Sequence, residues 1–173
     1  TVLYNLGRML NGIYKLDILT SNKDIPERLL SYYDIFSYRD SRLDLLNLRS
    51  NMIGCLSYIR KYKPVLVMNI CKPQTLGLVV TVAGRMKKVK SLLRITGDTF
   101  SQLKFSSTYW RQVKTWVLHY RMAGIACYYG DTIVPVGENL KGSLIEKGYN
   151  EKKVCVMPQP FDSRLFRPVP KKN

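Results

Sequence analysis

Short apolar runs alternate along this chain with segments of helical period, and that alternation limits the fold more than any other feature. "YKLDILTS" (14–21), "YDIFSYRD" (33–40), "KPVLVMNI" (63–70), "SLLRIT" (91–96), "DTIVPVG" (131–137) and "KKVCVM" (152–157) read as strands. The third of these shows no polar alternation, the pattern of a strand covered on both faces. Between them lie helical stretches. Leu45, Leu48, Met52, Leu56 and Ile59 recur at spacings of three and four, an apolar stripe on a helix ending near Tyr62. Further helices are expected over 2–10, 74–86, 109–129 and 138–147, the last stopped by Gly148 at the position where a left-handed residue costs least. Strands alternating with helices predict βαβ units. The expected fold is therefore α/β: a Rossmann-like three-layer domain with a mostly parallel sheet and helices on both faces.

In such a sheet ligands gather at the carboxyl ends of the strands, so the loops after Ile70, Thr96, Val136 and Met157 are the places to look for chemistry. The loop "RITGDTF" (94–100) is the most informative. Gly97 permits a tight or left-handed turn directly after a strand, exposing backbone amides. Asp98 and Thr99 offer a carboxylate and a hydroxyl to sugar hydroxyls, and Arg94 can pair with Asp98 or with a phosphate. A plain turn in which Asp98 caps the next segment is the competing reading. No Gly-x-Gly-x-x-Gly or Walker-type loop occurs, and "GRMLNG" fits a helix closed by a glycine. His119, the only histidine, has no Ser or Cys elbow to serve.

The charge balance is unusual, with 28 Lys+Arg against 12 Asp+Glu for a net +16. Such an excess points either to an anionic partner (nucleic acid, a phosphorylated substrate or an acidic membrane surface) or to a solvated surface that aids solubility, and charge alone does not choose between them. No recognisable nucleic-acid-binding module accompanies the charge. The segment "TYWRQVKTWVLHYRMAGIACYY" mixes aromatic residues with Arg111, Lys114 and Arg121. Its stripe of Trp110, Val113, Val117, Tyr120 and Gly124 is expected to face the core. The same composition suits an interfacial membrane helix, to which Lys87, Lys88 and Lys90 would add attraction for anionic lipid. The four cysteines are widely spaced among apolar neighbours, which argues for reduced, buried thiols in a cytoplasmic protein and against a zinc site. The first residues lack the basic lead and apolar core of a signal peptide, and the absence of an initiator Met suggests a start inside a longer chain.

The segment "GDTIVPVGENLKGSLIEKGYNEKKVCVMPQPFDSRLFRP" (130–168) resembles the close of the N-terminal domain of family 4 glycosyltransferases with the GT-B fold. That family's pattern runs Ala-Asp, an apolar strand, a helix, Gly, a Lys-Val strand, Pro-Asn-Gly-Val-Asp and Phe-x-Pro. Gly130-Asp131, 132–137, 140–148, 153–157, 158–162 and 166–168 take those places in order. Upstream, "YKPVLVMNICKPQTLG" is similar to the family's central strand and loop, and "LLRITGDTF" to an Arg-x-x-Gly-Asp loop. Gly97 stands where many relatives carry His, Gly137 replaces a Ser, and Gln159-Pro160 replaces Asn-Gly. The family's first strand and Gly-rich loop have no counterpart here.

The resemblance implies that residues 1–166 form the acceptor-side half of a two-domain transferase, with 167–173 beginning the interdomain linker. It implies transfer of a sugar from a nucleotide-sugar donor, with retention and without metal, to a glycan or lipid-linked acceptor. Lys72, Arg94, Gly97, Asp98, Thr99 and Glu138 would line the acceptor cleft, with no catalytic residue assigned. The donor would bind mainly an absent C-terminal domain, leaving this half inactive alone. Peripheral attachment to the inner face of a membrane is expected. The alternative is a non-catalytic Rossmann-like module for a phosphorylated ligand or nucleic acid.

Overall fold

The structure, a computed structural model, describes residues 2–20, 25–37, 44–97, 113 and 116–159. They belong to two compact units, one of residues 1–37 with 159–173 and one of residues 38–158. The architecture is α/β with parallel sheets, consistent with a Rossmann-like three-layer domain.

The first unit holds helix α1 (Val2–Leu10), strand β1 (Asp17–Thr20), the single-turn helix α2 (Glu27–Leu30) and strand β2 (Asp34–Ser37). β1 and β2 pair in parallel, from Asp17 opposite Asp34 to Thr20 opposite Ser37. A tyrosine pair fastens α1. Tyr33 donates from its hydroxyl to the Leu3 carbonyl at 2.7 Å, and Tyr32 meets Tyr4 edge-on with ring centroids 5.6 Å apart. The chain leaves α1 through Gly12, which has φ +81°, as expected of a helix closed by a glycine.

The second unit is built on three parallel strands, β3 (Leu66–Met68), β4 (Lys90–Ile95) and β5 (Thr132–Pro135), in that spatial order. Helix α3 (Asp44–Tyr62) precedes β3, α4 (Leu78–Lys87) links β3 to β4, α5 (Ala123–Tyr129) leads into β5, and α6 (Glu138–Glu146) follows it. Two of these helices are entered through π-helical turns, Pro73–Gly77 before α4 and Trp116–Met122 before α5. Beyond α6 the chain passes a short 3₁₀ turn and lies parallel to β5. There the Cys155 amide donates to the Ile133 carbonyl at 2.9 Å and the Met157 amide to Pro135 at 3.0 Å. The expected last strand is thus reduced to one bridge at Val154, because residues 151–153 coil instead of extending.

Leu93, Ile95, Ala123, Ala126, Cys127, Ile133, Leu144 and Val154 pack into one cluster. Each large aliphatic side chain in it contributes about 1.5–3 kcal/mol of transfer free energy. Alternation along β4 sends Ser91, Leu93 and Ile95 to the helix side. A Cβ on Gly77 would collide with the Leu93 side chain, so a glycine is required where the chain enters α4. β3 departs from expectation: Leu66, like Val65 just before it, is exposed, and Val67 and Met68 are only half-buried, so the strand is not covered on both faces. Cys55 and Cys127 are buried as expected, but Cys71 and Cys155 are exposed, since both lie in extended segments flanking strands and outside the core.

Helix ends follow the sequence closely. Gly148, at φ +83°, donates to the Ile145 carbonyl at 2.8 Å while the Tyr149 amide reaches Leu144 at 3.2 Å, a Schellman closure of α6. α4 closes in the same way around Lys88, a non-glycine residue at φ 57°, with the Val89 amide on the Gly84 carbonyl at 2.9 Å. Lys88→Gly is therefore expected to raise unfolding free energy by about 1 kcal/mol in chemical denaturation.

At the start of β5, Asp131 ties two strands together. Its Oδ2 accepts from the Ser91 amide and the Ser91 hydroxyl, both at 2.9 Å, and Lys90 lies 3.8 Å from Oδ1. Burial pushes this carboxyl up, but the two Ser91 bonds and the Lys90 and Lys153 charges outweigh burial and hold it below its ordinary 3.8. A carboxyl held low in the folded state stabilises above its unfolded pKa, and that contribution is lost as pH falls through the folded value. Wild-type stability should thus drop on acidification below about pH 4. Asp131→Asn should be less stable at neutral pH and show a flatter acid limb when denaturation is followed from neutral to acidic pH.

Candidate functional site

The connections after β3, β4 and β5 all leave from one edge of the sheet, the carboxyl edge, because the strands are parallel. Hydrogen bonding there goes beyond the strand ladder. β3 ends at Met68, and the next residue, Asn69, continues its pairing with a side chain. Asn69 Oδ1 accepts from the Arg94 amide at 2.9 Å, and Nδ2 donates to the Arg94 carbonyl at 2.9 Å and to the Cys71 carbonyl at 3.3 Å. This buried amide fixes the backbone of Arg94 and the start of the next loop together. In that loop Lys72 adopts φ 48°, and its carbonyl accepts from the amides of Thr75, Leu76 and Gly77 at 3.0 to 3.3 Å. Its side chain stands exposed at the edge.

Arg94 is the chemically distinctive residue. It is fully buried, and alternation along β4 places it on the face opposite Leu93 and Ile95. Its Nε, Nη1 and Nη2 are all shielded from water and make no hydrogen bond among the described residues. Burial pulls the guanidinium's pKa down, yet arginine stays protonated under any ordinary condition. A buried cation without a partner costs several kcal/mol. Asp98 and Thr99, expected beside it, lie outside the described residues, as do Arg111 and Lys114.

Gly97 is exposed and forms a bend just after β4 without a positive φ, so of the expected tight or left-handed turn the left-handed form is not taken. A Cβ on Gly97 or Gly137 would meet nothing within 4 Å. Neither glycine is demanded by the protein's own packing. Glu138 begins α6 directly after β5, exposed at the same edge. The structure thus brings Lys72, Arg94, Gly97 and Glu138 to one edge and adds Asn69, which sequence reasoning missed. Its one signal was a lone amide closing the apolar run "VLVMNI".

Lys87, Lys88 and Lys90 lie at the opposite, amino edge, where chains enter the strands. An open cavity of about 390 Å³ sits there, lined by Arg85, Cys127, Tyr128, Asp131, Tyr149 and Lys153 among others. Burial pushes the Cys127 thiol up to about 12, and burial with the neighbouring Cys127 raises Tyr149 to about 12. Neither side chain is a nucleophile at neutral pH. No three His, Cys, Asp or Glu side chains among the described residues gather as a metal would need.

Compared with known families and with curated proteins, the chain matches no family model and no curated sequence.

The unpaired guanidinium gives a test. Arg94→Met replaces a buried charge by an apolar chain of similar length, and should leave the melting temperature unchanged or raise it. If Arg94 were instead held by a structural partner, the same change would cost about 3–5 kcal/mol.

Proposed function

We propose that this chain is the acceptor-side half of a glycosyltransferase, which moves a sugar from a nucleotide-activated donor to a glycan or lipid-linked acceptor. The observation that carries this reading is the buried, unpaired Arg94 at the end of the central strand. Breaking a nucleotide sugar releases a diphosphate, and the reaction gains most from fixed positive charge in a place without water. Arg94 offers such a charge, and the Asn69 clamp holds its backbone rigid. Lys72 and Glu138, at the same edge, would bind and orient acceptor hydroxyls, while the open space at Gly97 and Gly137 would admit the sugar ring. Asp98 and Thr99 belong to this proposal through the Arg-x-x-Gly-Asp resemblance. The donor would be held mainly by a second domain, whose closure would orient the reactants and exclude water.

The same guanidinium also favours a second reading, a non-catalytic module that binds a phosphorylated ligand. Sugar transfer separates them. A polypeptide joining these residues to a donor-side domain is expected to transfer labelled sugar from a nucleotide sugar, whereas the 173 residues alone are not. Arg94→Met should lower kcat/KM on the order of a hundredfold without loss of folding. Tight binding of a phosphorylated compound without any transfer would favour the second reading, and full activity of Arg94→Met would overturn both.

A further inference from the structure

One helical face that sequence pattern assigns to the core is exposed. Along the π-helical turn Trp116–Met122 and α5, the buried positions are Ala123, Ala126 and Cys127, all small. The side expected inside, represented by Val113, Val117 and Tyr120, faces water instead, Gly124 is half-buried, and Trp110 lies outside the described residues. The reason is steric and local. α5 packs closely through its small residues, so the bulky ones rotate outward. Trp116, Val117 and Tyr120 on the π-helical turn and Ile125 and Tyr128 on α5 are exposed, as is Val113, with Trp116 at 45% and Tyr128 at 73% exposure. Arg121 adds a cation over the Trp116 ring, 5.1 Å from its centroid.

This aromatic stripe runs into the basic amino edge. Tyr128 and Tyr129 end α5 on the rim of the cavity shared with Arg85 and Lys153. Met86, Lys87 and Lys88 follow Arg85 in the adjoining turn, all exposed. Aromatic rings with bulky aliphatic groups, bordered by cations, match the headgroup boundary of an anionic bilayer, where rings sit among the headgroups and lysines face acidic lipid. No helix among the described residues is long and apolar enough to cross a membrane. We propose that the exposed face formed by Val113 and residues 116–129, together with the Lys87–Lys88 turn, is an interfacial docking surface for an anionic membrane.

This does not depend on the sugar-transfer reading, and its test needs no activity. The full chain is sedimented with phosphatidylcholine vesicles, with and without phosphatidylserine, at low and physiological salt. Binding is expected only where phosphatidylserine is present, and to weaken with salt. Lys87→Gln with Lys88→Gln should lower partitioning roughly 25-fold, about fivefold per charge. Trp116→Ser with Tyr128→Ser, which leaves the charge unchanged, should lower it at least about tenfold while the melting temperature holds. In a Trp110→Phe background, Trp116 emission should shift to the blue on binding. The proposal is overturned if vesicles without phosphatidylserine bind equally, if none bind, or if the aromatic variant binds like wild type. It is equally overturned if an RNA homopolymer binds more tightly than the vesicles, or if the chain alone dimerises and shields Trp116.

Discussion

Strand β4 is hydrogen-bonded on both sides, to β3 from Lys90 to Leu92 and to β5 from Leu92 to Ile95. Its helix-side residues Leu93 and Ile95 anchor the apolar cluster against α5, β5 and α6. Where the β3 ladder runs out, the Asn69 amide takes over and holds the Arg94 backbone on both its donor and its acceptor. At the other end Asp131 accepts twice from Ser91. A strand pinned at both ends by side chains cannot slip in register, and a slip of one residue would exchange Arg94 with Leu93 between the two faces.

That pinning separates two kinds of chemistry. The carboxyl edge carries a dehydrated cation, with Gly97 and Gly137 on the loops that follow. The amino edge carries solvated lysines, exposed tyrosines and a left-handed turn at Lys88. The charge excess that composition reports as one number is thus two different things. A desolvated arginine is a fixed, local charge, whereas a rim of hydrated lysines produces a diffuse, salt-sensitive field.

Much of the fold was legible. Helix α3, the order of strands and helices, the glycine closures after α1 and α6, and the parallel pairing all follow from periodicity and turn chemistry, which act over a few residues. The candidate edge was legible as well, because parallel strands place their following loops together. The exposure of β3 was not, since an apolar run looks the same whether or not both faces are covered. Nor was the orientation of the aromatic helix, where Val113, Val117 and Tyr120 share a stripe by spacing but small residues won the packing contest. At Gly97 the sequence left a tight and a left-handed turn equally open, and the backbone takes a bend without positive φ.

The amino-acid sequence by itself determined most of the strands and helices, though not the coil at 151–153, and placed Lys72, Arg94, Gly97 and Glu138 at one edge. Local propensity and alternation suffice for that. Tertiary structure alone decided that the Arg94 guanidinium is dehydrated and unpaired, that Asn69 completes the β3–β4 pairing, and which side of α5 meets water. Those properties belong to the space around a side chain, and that space is filled by residues far away in the chain.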